Sequence, residues 1–242
     1  MFRAAFALLR KNWIIVVPGL VAGAIVGVLS WILAPSEGAT PVAFWSGSVP
    51  LFGAVALDSD NVSAIALDVA QVLASILAIA YTTGMAHAAW ERGTAGLADG
   101  RQAFARDAGH VFVAMLGLFF LGLAAVLLAP YTWWFSVALY VYLAIYTMPS
   151  AVVGERGGLR AIVESGEIAV RRVVPTTIVV GALALIVFVC GILAEALAQL
   201  VPVAGTVLAQ LVVQFAIAYF TLVVVGEYLA LRELAAIEAG YR

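Results

Sequence analysis

Six polar side chains interrupt stretches that are otherwise hydrocarbon: Asp68, Gln71, Glu195, Gln199, Gln210 and Gln214. Asp68 and Gln71 are spaced i,i+3. Glu195 with Gln199, and Gln210 with Gln214, are spaced i,i+4, so each pair shares one helix face. Two carboxylates among four amides at such depth suit a cation, a proton or a small polar ligand, and ionisable groups in a membrane segment face protein or water rather than lipid. The same residues also suit a hydrogen-bonded cluster whose only work is to fix helix packing. By helical rise, Asp68 lies about 9 Å from the outer end of its segment and Glu195 at a similar depth. Both readings therefore place the cluster in the outer half of a bilayer.

Composition says what must hold these groups. The 242 residues are 65% apolar and 11% charged, with a mean hydropathy of +1.11. A soluble domain carries about 25% charged residues, so lipid must cover much of this surface. The net charge of −2 argues against nucleic-acid binding. A lone cysteine, Cys190, excludes an internal disulfide and a thiolate metal site. His87 and His110 form no ligand motif.

The expected fold is all-α: a polytopic membrane protein of one domain, 1–242, with six transmembrane helices arranged as three hairpins. The spans are read at 13–33, 62–90, 111–129, 132–153, 175–201 and 206–231. Each approaches or exceeds the roughly 20 apolar residues that cross a bilayer. A basic amphipathic segment, 1–12, precedes the first span; a cleaved signal peptide is the alternative for the apolar run 13–33. The outer loop 34–61 holds an apolar middle, 41–57, which is either interfacial or re-entrant. Pro130–Tyr131 and Pro202–Gly205 read as tight turns, and Trp133, Trp134 and Phe135 as an interfacial aromatic belt. Segments 91–110 and 154–174 are polar. In the second, Arg160, Glu164, Glu167 and Arg171 share a face and offer the pairs Arg160–Glu164 and Glu167–Arg171.

All twelve Lys and Arg fall in 1–12, 91–110, 154–174 and the tail from Arg232. The positive-inside rule then puts both termini in the cytoplasm, with cytoplasmic amphipathic helices between hairpins. Gly19, Gly23 and Gly27 form a small-xxx-small stripe for close helix packing, within the chain or in a homodimer. Glu227 calls for an arginine partner from a cytoplasmic segment.

The even spans echo one another: Ala78–Ile79–Ala80–Tyr81–Thr82, Ala144–Ile145–Tyr146–Thr147, and Ala216–Ile217–Ala218–Tyr219 with Thr221. Stepping back from the threonines gives Gln71, Ser136 and Gln210, then Ser75, Tyr140 and Gln214, one polar stripe per helix. The expectation is that these stripes turn inward.

Arg10–Lys11–Asn12–Trp13 before the first span, the polar segments after spans two and four, and the run Gly158–Leu159–Arg160–Ala161–Ile162–Val163–Glu164–Ser165 continuing to Arg171–Arg172 resemble one family. It comprises uncharacterised six-span prokaryotic integral membrane proteins related to the membrane domain of glycerophosphodiester phosphodiesterases. The resemblance implies a six-span fold in the prokaryotic plasma (inner) membrane and transfers no catalytic residues.

No H-E-x-x-H, G-x-S-x-G or P-loop is present. No catalytic residue, metal ligand or cofactor is therefore expected. The function read from the sequence is a non-enzymatic integral membrane protein, a scaffold or accessory subunit of a membrane complex. The alternative is a transport subunit working with a partner ATPase, its polar cluster lining a cavity. The partners expected are the lipid bilayer, subunits of a membrane complex or a second copy, and no nucleic acid.

Overall fold

The computed structural model describes residues 1–33, 62–200 and 202–240, with side chains given for most of them outside 26–33, 62–73 and 197–210. The expected outer loop 34–61 and its apolar middle lie outside the described residues. The described residues are all-helical in class, with short turns and without strands: α1 (Phe2–Lys11), a 3-10 turn (Trp13–Val16), α2 (Val17–Leu33), α3 (Val62–Arg92), α4 (Leu97–Thr132), α5 (Phe135–Ala144), α6 (Thr147–Val152), α7 (Gly158–Arg171), α8 (Val173–Leu200) and α9 (Pro202–Gly240). Among them, four stretches are long and apolar enough to cross a membrane: Leu97–Thr132, Phe135–Val152, Val173–Cys190 and Gln214–Leu234. A fifth is reached if α1 and the 13–25 segment, bent by 94°, count as one.

Three boundaries differ from the sequence reading, each for a local reason. The polar segment 91–110 is not a separate element. From Leu97 it forms the first turns of α4 and runs without a break into the apolar part beginning at Val111. Helix formers dominate there, and the helix start is fixed at 96–99, where the Asp99 carboxylate accepts the Gly96 N–H (2.8 Å). The turn expected at Pro130–Tyr131 falls later. Pro130 sits in the last helical turn, where it costs only one backbone hydrogen bond. The chain reverses at Trp133 and Trp134, both left-handed (φ 51° and 64°). The Thr132 and Ser136 hydroxyls tie this corner, bonding the Leu128 and Ala125 carbonyls. Finally, Gly205 lies inside α9, which opens at Pro202, a position where a missing N–H costs nothing.

The apolar stretch Phe135–Val152 is broken between α5 and α6. Ser165 of α7 is wedged into the gap: its hydroxyl donates to the Leu143 carbonyl (2.6 Å) and accepts the Tyr146 N–H (3.0 Å). A side chain inserted in the helical ladder is a sufficient cause for such a break, and Pro149, without an N–H of its own, adds to it.

Helix α7 packs its small residues inward. Gly158, Ala161, Ser165 and Ala169 are buried, while Leu159, Val163, Val170 and Val173 are exposed. Small side chains let α7 approach α4 and the α5–α6 joint closely. A Cβ on Gly158 would stand 2.3 Å from Val113 of α4.

The core lies where α3, α6 and α9 meet the N-terminal segment. Ile79, Met85, Tyr146, Met148, Phe220, Leu222 and Tyr228 are all fully buried there. The echoed motifs are part of this core. Thr82 and Thr221 each return their hydroxyl to the carbonyl four residues back. Thr147 does not: Ser165 bonds the Leu143 carbonyl instead, and the Thr147 oxygen has no partner.

Candidate functional site

Two polar regions merit a site's description. The first contains the predicted cluster. Gln214 on α9 is buried, its Oε1 without a hydrogen-bond partner. It lies directly against Gly19 of α2: a Cβ on Gly19 would come within 2.1 Å of that oxygen. Gly19 and Gly23 are both buried. Asp68, Gln71, Glu195, Gln199, Gln210 and Gly27 have helical backbones, on α3, α8, α9 and α2, and their side chains lie outside the described residues. The described stripe residues of α5 turn to a neighbouring helix. Tyr140 donates to the Leu118 carbonyl (3.0 Å) and Ser136 to that of Ala125 (2.7 Å), both on α4.

The second region is an ionic joint that gathers the basic segments. Arg106 of α4 holds it with three nitrogens: Nε to Asp107 (2.8 Å), one terminal nitrogen to Glu155 (3.0 Å) and the other to the Val152 carbonyl at the end of α6 (3.2 Å). A guanidinium there answers the carbonyl-rich helix C-terminus. The bond to Asp107 keeps the Arg106 charge more firmly than in an isolated arginine. Glu155 takes a left-handed conformation (φ 54°), and Gly154 lets the Tyr228 hydroxyl approach, since a Cβ would be 2.4 Å from it. Arg232 of α9 reaches the Val153 carbonyl at 3.5 Å.

Glu164 of α7 completes the joint. It accepts the Ser150 hydroxyl and pairs with Arg156 at 3.4 Å. The expected Arg160–Glu164 pair is thus replaced, while Glu167–Arg171 forms at 3.9 Å. Glu227 makes no ion pair with an arginine among the described residues, contrary to the sequence reading.

The N-terminal helix is fastened to the same end. The Asn12 amide donates to the Leu8 (3.0 Å) and Gly93 (3.3 Å) carbonyls, and its oxygen accepts the Ala95 N–H (2.9 Å). Phe6 meets Tyr219 edge-on at 6.3 Å, and the Tyr219 hydroxyl bonds the Phe2 carbonyl. Beside this turn, Arg92 bonds Asp99 at 2.5 Å and, with the Gly96 N–H, holds the Asp99 carboxyl below its ordinary range.

Sequence reasoning missed Asn12, Ser150 and Ser165. The available signal was polarity at positions flanked by small or apolar residues, which for Ser165 lies within the apolar side of an amphipathic helix. No group of His, Cys, Asp or Glu suited to a metal occurs among the described residues. No family model, curated protein or solved structure matches the chain.

Proposed function

We propose that the chain is a non-enzymatic multi-pass protein of the prokaryotic plasma membrane, a scaffold or accessory subunit of a larger membrane complex. In this reading it crosses six times as three hairpins, with both termini in the cytoplasm. The carrying observation is the filled interior between α3, α6 and α9, where Met85, Tyr146, Met148, Phe220 and Tyr228 leave no solvent exposure. A conduit through that half would have to displace all of them. The large apolar side chains instead point outward along α4 (Phe112, Leu116, Phe120, Leu127) and α8 (Ile178, Leu185, Phe188, Ile192). Such rows suit lipid or neighbouring membrane helices, where packing rather than water exclusion drives association. The meeting of Asn12 with 93–95, Arg106 with Glu155 and Arg232 with Val153 at one end supports a common side for the basic segments.

A transport subunit is the second reading. It is favoured by the buried, unpartnered Gln214 oxygen and by the interrupted α5–α6 helix, since broken helices recur at transporter sites. Affinity purification of the full chain in mild detergent separates the two. Recovery with other integral membrane subunits and no nucleotide-binding protein supports the scaffold; recovery of a nucleotide-binding subunit supports transport. Isolation of the chain alone, after crosslinking in intact membranes, contradicts both.

A further inference from the structure

A cleft of about 240 Å³ opens on α7, lined by Arg156, Arg160, Val163, Glu164 and Glu167. Its two acids are already engaged. Glu164 holds Ser150 and Arg156, and Glu167 faces Arg171. The Arg160 guanidinium, in contrast, is exposed and makes no ion pair or side-chain hydrogen bond among the described residues, while the backbone N–H of Arg160 donates to the Gly157 carbonyl (2.8 Å). Arg156 precedes and Arg160 sits in the first turn of α7, whose Gly157 N-cap offers no side chain to the Gly158 and Leu159 N–H groups. Uncapped amides at a helix start add positive potential and suit an anion.

The cleft does not stand alone on the surface. Leu159, Val163 and Val170 are each about 60% exposed. With Gly166 they follow i, i+4, i+7 and i+11, one continuous face beside the charged one. A ligand with an anionic head and a hydrocarbon tail fits both faces at once, whereas a soluble anion would use only the first.

We propose that this cleft binds the phosphate of an anionic lipid headgroup, with Arg160 on the phosphate, the terminal nitrogens of Arg156 beside it while its Nε stays with Glu164, and the acyl chain along Leu159, Val163 and Val170. Basic residues beside an apolar face at a membrane surface recognise anionic lipids in this way, each arginine contributing roughly fivefold in affinity.

The test is native mass spectrometry of the detergent-purified full chain, titrated separately with phosphatidylglycerol, phosphatidylcholine and inorganic phosphate. Phosphatidylglycerol should be retained in preference to phosphatidylcholine. Arg160→Gln should reduce that retention about fivefold, Arg160→Lys should keep most of it, and Arg3→Gln, distant in sequence and on α1, should leave it unchanged. Val163→Glu, which brings a carboxylate into the cleft without removing an arginine, should also abolish the preference and guards against a folding defect in the arginine variants. Equal retention of the two lipids, an unchanged Arg160→Gln variant, an equal loss in Arg3→Gln, or displacement of the lipid by inorganic phosphate would each overturn the proposal.

Discussion

The Trp90 indole N–H of α3 donates to the Leu222 carbonyl of α9 at 2.8 Å, and Gly226 is what lets the ring come so close. Any Cβ at 226 would stand 2.5 Å from the indole. One long-range hydrogen bond and one missing side chain thus set the distance between the two helices that carry much of the core.

Overpacking such a contact costs about 1–3 kcal/mol. Gly226→Ala should therefore lower the thermal midpoint in a fixed detergent, and Trp90→Phe, which loses the bond and replaces the indole with a smaller ring, should cost more than about 1 kcal/mol. Gly181→Ala, where a Cβ meets nothing within 4 Å, should leave the midpoint unchanged or raise it. A neutral Gly226→Ala would mean the helices are spaced otherwise.

Ser165 sets the break between α5 and α6. Ser165→Ala frees the Leu143 carbonyl, which the orphaned Thr147 hydroxyl can then take in the same four-back manner as Thr82 and Thr221. The variant should lose about 1–3 kcal/mol, because the Leu143 bond is replaced while the buried Tyr146 N–H is left unpaired. Ser165→Ala with Thr147→Val, which removes the replacement, should lose more than the sum of the single changes. Strict additivity in this double-mutant cycle would show that Thr147 does not compensate.

Asn12 joins three backbone groups of two segments. Replacing it with Ala should cost about 1–3 kcal/mol, through the half-buried Ala95 N–H left unpaired. Hydrogen exchange should rise in 1–16 and 93–96 together. A rise confined to 1–16 would mean that the 93–96 turn holds itself.

Much of this was legible in advance, and the line between what was and was not is physical. Helical class and membrane character follow from a mean hydropathy of +1.11, a property summed over the whole chain. The amphipathic start at 1–12 became α1, because its period is local. What could not be read depends on which helix lies alongside. Large apolar residues mark a buried face in water but an exposed one in lipid. Leu159 and Val163 are accordingly outside, and Gly158, Ala161 and Ser165 inside. Likewise, i,i+4 spacing offered Arg160 to Glu164, but the tertiary fold brought Arg156 and Ser150 closer. For the polar cluster, only Gln214 and its neighbour Gly19 have described side-chain surroundings, and spacing alone gave no hint of that pairing.

Acid should act on the start of α4. The Arg92 hydrogen bond holds the Asp99 carboxyl below its ordinary 3.8. A depressed carboxyl contributes stability at pH above the unfolded value, and that contribution disappears as pH falls through the folded one. The 93–99 turn should thus be insensitive between neutrality and about pH 5 and loosen below about pH 4. Asp99→Asn should be looser at neutral pH and lack the acid step in exchange rates corrected for intrinsic chemistry. An acid step of full size in Asp99→Asn would assign it to another group.

The central claim is that lipid separates the basic segments from the loop 34–61. In a Cys190→Ala background, single cysteines at positions 36, 101 and 160 should be exposed to a membrane-impermeant maleimide in intact cells. Labelling of position 36 alone, with 101 and 160 reacting only after the membrane is opened, is the predicted result. Labelling of 101 or 160 from outside would contradict the account.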